Sequence, residues 1–275
     1  MTINCLGQLI DLKRPKIMGI LNITPDSFYD GGKFKGEAAI LQQTGRMLQD
    51  GATFIDLGAY SSRPGAEEVT EEEELRRLEP VVEILIKEFP GIFLSIDTFR
   101  SRIASSCLQA GAALINDISG GDLDREMMST VASFKAPYIA MHMRGTPQTM
   151  AKETDYQDLL TEIQYQFSLK ITKARELKLN DLILDPGFGF AKTRSQNFEL
   201  LKSLDLFQHF ELPILVGLSR KSMIYKTLGT TPELALNGTT ALHMIALEKG
   251  ARILRVHDVA EACQCIRLFE EIRSA

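Results

Sequence analysis

The chain has 275 residues, of which 44% are apolar and 24% charged, the balance of an ordinary globular protein with a substantial core. Its formal net charge of −5 weighs against nucleic acid or a membrane surface as partner. No apolar run is long enough to cross a bilayer, and Met1–Asp11 has no charged segment leading into an apolar one, so neither a spanning helix nor a secretion signal is expected.

The residues ahead of Lys16 suffice for a small hairpin or plug. Behind them, short apolar runs alternate with longer amphipathic ones. The predicted strands are Ile17–Leu21, Phe54–Leu57, Ile92–Ile96, Leu114–Asn116, Tyr138–Met141, Leu182–Leu184, Ile214–Val216 and Ile253–Val256. They are apolar throughout, the pattern of parallel strands buried on both faces. Thr70 and Glu73 have capping-box spacing ahead of Leu75, Leu78, Val82, Leu85 and Phe89, and Pro80 is expected to kink that helix. Tyr156, Leu159, Ile163, Phe167, Ile171 and Ala174 form one helical stripe, and Val259, Ala262, Ile266, Phe269 and Ile272 another. Eight strand–helix units in one domain over residues 1–275 fit a single (β/α)8 TIM barrel of α/β class with a short N-terminal extension. An open doubly wound sheet would alternate in the same way; the length and the eight repeats favour the barrel. Cys5, Cys107, Cys263 and Cys265 lack CxxC spacing and read as reduced, mostly buried thiols of a cytoplasmic protein.

In such a barrel the loops after the strands build the active site. Here the strand ends carry Asn22, Asp56, Asp97, Asn116, His142, Asp185, Lys221 and Arg255 with His257. An Asp after a strand is often only a turn former or helix cap, a serious rival reading for Asp117 and Asp258. Asp56 reads either way, and His142 as structural. Arg63, Lys221 and Arg255 could clamp an anionic diphosphate. Asp97, Asn116 and Asp185 suit the donor edge of an amino-pyrimidinone ring, with Ile118, Met141 and Phe190 as apolar walls.

Eight segments, taken in order, carry a recognisable pattern. They are Asn22-x-Thr-Pro-Asp-Ser-Phe28-x-Asp-Gly-Gly, Ser61-Ser-Arg63-Pro-Gly, Ser95-Ile-Asp97-Thr, Asn116-Asp-Ile-Ser-Gly, Met141-His-Met-Arg-Gly-Thr-Pro147, Asp185-Pro-Gly-Phe-Gly-Phe190, Ser219-Arg-Lys221-Ser222 and Arg255-Val-His257-Asp258. Together they resemble the dihydropteroate synthases from Ile17 to His257. The resemblance implies condensation of (7,8-dihydropterin-6-yl)methyl diphosphate with 4-aminobenzoate, giving 7,8-dihydropteroate and diphosphate in folate biosynthesis. It further implies Mg2+, a pterin pocket deep in the barrel, and a homodimer. By resemblance, Asn22 contacts the metal-bound diphosphate, while Asp97, Asn116, Asp185 and Lys221 hold the pterin, with Ile118, Met141, Phe190 and Gly217 around it. Arg255 stacks on the pterin and, with Arg63 and His257, binds diphosphate. The loops 22–35 and 59–66 close over the substrates. Phe28, Ser62, Arg63, Pro64, Phe190 and Ser222 fall near aminobenzoate or its neighbouring diphosphate. The catalytic set is Arg63, Lys221, Arg255 and His257. One departure is Ser62, where the family has Thr; its lost methyl is expected to loosen that loop and alter affinity for aminobenzoate or sulfonamide mimics.

A pterin-binding methyltransferase barrel would share the Asp/Asn pocket but not the loops after the first two strands or the cations for diphosphate. A silent pterin-binding barrel would be expected to have lost Asn22, Arg63, Lys221, Arg255 or His257, all present here. A barrel aldolase is disfavoured because no predicted strand contains lysine.

Overall fold

The computed structural model describes residues 1–23, 33–60 and 69–275, with 33–35 by backbone alone. Strands β1 (Thr2–Cys5) and β2 (Gln8–Asp11) form an antiparallel hairpin. Eight parallel strands follow: β3 (Lys16–Asn22), β4 (Phe54–Gly58), β5 (Phe93–Asp97), β6 (Leu114–Asp117), β7 (Tyr138–Met141), β8 (Leu182–Asp185), β9 (Leu215–Val216) and β10 (Ile253–Val256). Their spatial order is β8-β7-β6-β5-β4-β3-β10-β9, and a parallel bridge from Leu184 to Ile214 joins the two ends into a barrel. Helices α1 (Lys33–Gln49), α2 (Glu71–Glu88), α3 (Ser101–Gln109), α4 (Met127–Phe134), α5 (Leu159–Glu176) and α6 (Arg194–Lys202) follow the first six barrel strands in turn. Helices α7 (Ser222–Tyr225) and α8 (Leu236–Glu248) follow β9, and α9 (Val259–Ser274) follows β10.

Successive strand residues point to opposite faces of a sheet, and the core divides accordingly. Ile55, Leu57, Leu94, Ile96, Ile115 and Leu184 join the layer beneath the helices. Met18, Phe54, Leu114, Ile139, Ile183, Leu215 and Ile253 form a second cluster, shared with Ile3, Cys5 and Leu12 of the N-terminal segment. The hairpin is therefore a plug that seals the barrel's lower end with apolar side chains. Two residues further along, the inward positions change character: Asp56 follows Phe54, Ser95 follows Phe93, Asn116 follows Leu114, Asp185 follows Ile183, and Arg255 follows Ile253. A dry floor thus underlies a polar upper layer, and every site strand carries both.

Several local expectations are revised. Thr70 caps α2 by accepting the Glu73 N–H, but the Glu73 carboxylate turns to Arg76 and Arg77, so only half of the capping box forms. Helix α2 runs unbroken through Pro80. The C-terminal stripe ends at Phe269, since Ile272 is 62% exposed. Lys16, placed outside the strands by sequence, opens β3, at the end opposite the polar layer. Lys170 lies buried within the α5 stripe, donating to Ser119 O, Gly120 O and Asp122 Oδ2. Cys5, Cys107 and Cys265 are buried and Cys263 half-buried, all as free thiols. Among the described residues no helix is long and apolar enough to cross a membrane.

Because the plug touches only the lower layer, truncating it separates stability from chemistry. Leu12→Ala should lower unfolding free energy by about 2–5 kcal/mol in urea denaturation, while kcat at 25 °C stays within about twofold, since the cavity it opens lies a full layer from the polar residues.

Candidate active site

The polar layer is organised around Arg255. Its Nε donates to Asp56 Oδ2 at 2.6 Å and its Nη2 to Asp97 Oδ2 at 2.7 Å. Asn116 Nδ2 donates to the same Asp56 oxygen at 3.0 Å. Side chains of β4, β5, β6 and β10 are thus tied across the barrel interior. Asp56, ambiguous in sequence, is fully buried and is the hub of this network. Among the described residues, Asp56 Oδ1 and its strand neighbour Ser95 Oγ are buried without a hydrogen-bond partner, which leaves polar capacity at the floor of the site. Burial drives the Asp97 carboxyl upward; Arg255 opposes this, but one guanidinium shared by two carboxylates cannot offset both, and Asp56 adds to the rise. Burial alone would weaken the charge on Arg255, yet Asp56 and Asp97 hold it firmly cationic.

The second part of the site is the turn after β8. Asp185 is buried, and its Oδ1 accepts the Gly187 N–H at 2.8 Å. Burial raises its carboxyl, against the pull of that N–H and of Lys221 and Arg255. Gly187 has φ 73°, and a Cβ there would lie 2.1 Å from the His142 carbonyl oxygen, so no larger residue fits. Gly189 has φ 80° and runs against Lys221, whose Nζ sits 4.1 Å from the centre of the Phe190 ring. Beneath this turn is a lysine that sequence reasoning missed. Lys192 Nζ is buried and donates to Gly187 O and Phe190 O at 3.0 Å each, and lies 3.1 Å from His142 Nδ1. Burial, followed by the positive charges around it, keeps His142 well below its usual range, so a neutral ring accepts from Lys192. His142 is thus a structural prop. A lysine two residues after Phe190 of Asp185-Pro-Gly-Phe-Gly-Phe190 was the available signal, but one-dimensional pattern does not say that its amine turns inward.

The remaining candidates surround these groups. Ile118, Met141 and Phe190 belong to one apolar cluster with Phe99, Met143 and Met150. A methyl group on Gly217 would meet nothing within 4 Å, so this position borders open space. Asn22 is exposed at the end of β3, and Ser222 is exposed at the start of α7. His257 donates its backbone N–H to Ser219 Oγ at 3.2 Å, and its Nδ1 lies 3.0 Å from the same oxygen. Asp117 turns away from the site. It accepts from Ser119, Gly121 and Tyr138, which makes it the turn former that its rival reading proposed. Phe28, Ser62, Arg63 and Pro64 lie outside the described residues.

Comparison with known proteins decides the family. The pterin-binding enzyme family matches residues 18–257. The chain is 45% identical over 263 residues to the dihydropteroate synthase of Synechocystis sp., covering 94% of this chain and 91% of that one. The chain belongs to the dihydropteroate synthases. A Yersinia pestis dihydropteroate synthase solved in complex with a sulfonamide drug superposes with TM-score 0.92 at 44% identity, covering 100% of both chains. A Xanthomonas albilineans dihydropteroate synthase solved with 4-aminobenzoic acid superposes at 0.91 and 35% identity, covering 100% of this chain and 98% of that one. As a dihydropteroate synthase, this chain is a transferase that condenses (7,8-dihydropterin-6-yl)methyl diphosphate with 4-aminobenzoate, releasing diphosphate and giving 7,8-dihydropteroate.

In this synthase Lys192 gives a pH signature. Burial lowers its amine to about 7. The unfolded chain keeps that proton to about pH 10.4, so between the two values the unfolded state binds more protons and stability rises with pH. The stability advantage of the parent protein over Lys192→Met should therefore grow from pH 7 to about 9.5 in denaturant unfolding. A constant difference would mean that the amine stays charged in the folded protein throughout this range.

Proposed function

We propose that the polar layer seats the pterin ring flat inside the barrel, with its diphosphate tail directed toward the ends of β3, β9 and β10. The observation that carries this reading is the Arg255 bridge between Asp56 and Asp97, which holds a charged planar group in the barrel interior. Held at its edge by two carboxylates, the guanidinium offers its face for stacking on a flat heterocycle. Asp185 faces the ring's adjacent N–H donors as a paired acceptor, and Asn116 supplies both a donor and an acceptor. Asp97, Lys221 and Gly217 complete the ring's surroundings, and Ile118, Met141 and Phe190 supply apolar contact. Aminobenzoate lies toward Phe190 and Ser222, and family resemblance assigns Phe28, Ser62, Arg63 and Pro64 to the same substrate.

The chemistry follows from where charge develops. Breaking the bond from the pterin methylene carbon to the bridging oxygen sends an electron pair to diphosphate and leaves a cationic carbon that the ring delocalises. Arg63, Arg255 and His257 stabilise the departing anion. The aminobenzoate nitrogen, a weak nucleophile, then captures the carbon and loses its proton afterwards, so no base need act before cleavage. Loops 22–35 and 59–66 exclude the water that would otherwise compete.

Mg2+ fits the donors present. Gly58 places the two oxygens on one side of the same residue: a Cβ there would lie 3.8 Å from Asn22 Oδ1 and 3.7 Å from Asp97 Oδ2. Mg2+ is commonly bound through one or two protein oxygens plus substrate phosphates and water. Asn22 is the residue that would hold it, and the ion would neutralise charge on the leaving diphosphate. A homodimer is supported by large apolar side chains left on the surface of α8, α9 and the segments before α8. Leu228, Leu234, Ile245 and Leu268 are 57%, 71%, 43% and 62% exposed.

Three measurements test this reading. Diphosphate release from the pterin substrate should require Mg2+ and persist slowly without aminobenzoate; strict dependence on aminobenzoate would overturn the order of bond events. Asp185→Asn places a donor against ring donors and should weaken pterin affinity about 10- to 100-fold with little change in Tm. Ile245→Glu should convert a dimer to a monomer in sedimentation velocity, and an unchanged sedimentation coefficient removes α8 from the interface.

A further inference from the structure

We propose that Arg220 and Asp258 are positioning residues, a staple that fixes Lys221 and His257 relative to each other and so sets the binding site for the diphosphate tail. The inference rests on the reading of His257, with Arg255, as diphosphate-binding and of Lys221 as the pterin contact beside it.

Two consecutive residues after β9 are bonded to two consecutive residues after β10. Ser219 Oγ meets both the backbone N–H and Nδ1 of His257. Arg220 meets Asp258 through a two-point pair, Nε to Oδ2 at 2.9 Å and Nη2 to Oδ1 at 2.7 Å. Both partners are largely shielded, with side chains 27% and 16% exposed. Each residue of the second pair is the immediate chain neighbour of a site residue, Arg220 of Lys221 and Asp258 of His257. A planar fork on a carboxylate fixes direction as well as distance, so the pair defines the orientation of both loops.

Both partners forgo a better local state to make this contact. Arg220 has φ 55°, the left-handed region that non-glycine residues avoid. That conformation is held by its N–H donating to Thr239 Oγ1 and by Nη1 donating to Glu233 O. Asp258 occupies the N-cap position of α9, where an aspartate ordinarily accepts a helix amide, yet its side chain makes no capping bond. Its carboxylate is turned to Arg220 instead. Strained backbone and a diverted cap at the two ends of one ion pair, each beside a site residue, point to a geometric task that capping and relaxed turns would not perform.

The test compares two ligands on one set of proteins. Calorimetry on Arg220→Met, Asp258→Asn and the double variant would measure binding of the pterin methyl diphosphate and of the matching pterin methyl alcohol, which lacks the tail. The staple predicts that the diphosphate compound weakens by about 10- to 100-fold, as expected for misplaced charge partners, and that the alcohol, which keeps only the ring contacts and among them Lys221, weakens by less than about fivefold. The double variant should lose no more than the worse single one. Equal weakening of both ligands, or additive losses in the double variant, would show a role in stability alone and overturn the proposal. If Arg220→Met does not fold, Asp258→Asn, which keeps one acceptor for Arg220, reports the same contrast. Should the parent protein bind diphosphate and alcohol equally well, the reading of the cation set fails and the staple loses its purpose; a parent preference untouched in every variant sinks the staple alone.

Discussion

The structure depends on the price of placing a guanidinium and three carboxylates inside a barrel. Taking unpaired charges out of water costs several kcal/mol each, and only close, well-aligned partners recover it. Arg255 recovers it by touching Asp56 and Asp97 at 2.6 and 2.7 Å, with Asn116 completing the Asp56 oxygen. Asp185 stands one strand pair further round, with Gly187 and the nearby cations to offset its charge. The interior is nonetheless under-compensated in positive charge. In the proposed seating, the pterin's N–H donors meet these carboxylates and its ring stacks on the guanidinium. Recognition, on that reading, completes an electrostatic balance that the fold leaves short.

That imbalance is tolerable because the layer below is dry and well packed. Phe54, Leu114, Ile139 and Ile183 close the interior beneath the charges, and Ile3 and Leu12 of the N-terminal segment close the bottom. The period-two alternation of the strands delivers both layers at once: Asp56, Asn116, Asp185 and Arg255 each follow an inward apolar residue by two positions, and Asp97 follows Phe93 by four. A register slip of one residue would swap Asp56 with Ile55 and drive a carboxylate into the helix interface. Functional residues are therefore held by the elements whose packing cannot shift without unfolding the barrel.

Sequence revealed the elements well, because parallel buried strands leave unmistakable apolar runs and because the motifs fall where those runs end. It also placed Asp97, Asn116, Asp185 and Arg255 on one side of the molecule, since the side chains of a barrel's upper layer share a level. It could not resolve Asp56 from Asp117. Both are carboxylates at strand ends, yet one faces inward to Arg255 and the other outward to Ser119, Gly121 and Tyr138. Counting from the apolar inward residues Phe54 and Leu114 would have separated them, because Asp56 is two positions on and Asp117 three. Lys170 and Lys192 were invisible for a different reason. A lysine reads as surface by default, and these two are buried only because loop carbonyls converge on their amines. Convergence of carbonyls from separate turns is a three-dimensional property with no linear signature.

The same logic explains why the upper rim tolerates local disadvantages. A left-handed non-glycine residue costs about 1–3 kcal/mol, and an unused N-cap about 1 kcal/mol. Arg220 and Asp258 incur both, and the buried Lys192 adds the cost of a desolvated amine. A chain selected for stability alone would relax each of them with a single substitution. Their position beside Lys221, Phe190 and His257 follows if the rim must hold its charged groups in place before substrate arrives. Charges fixed in advance need no reorganisation when the diphosphate begins to leave, and that prior order is what an electrostatic catalyst contributes.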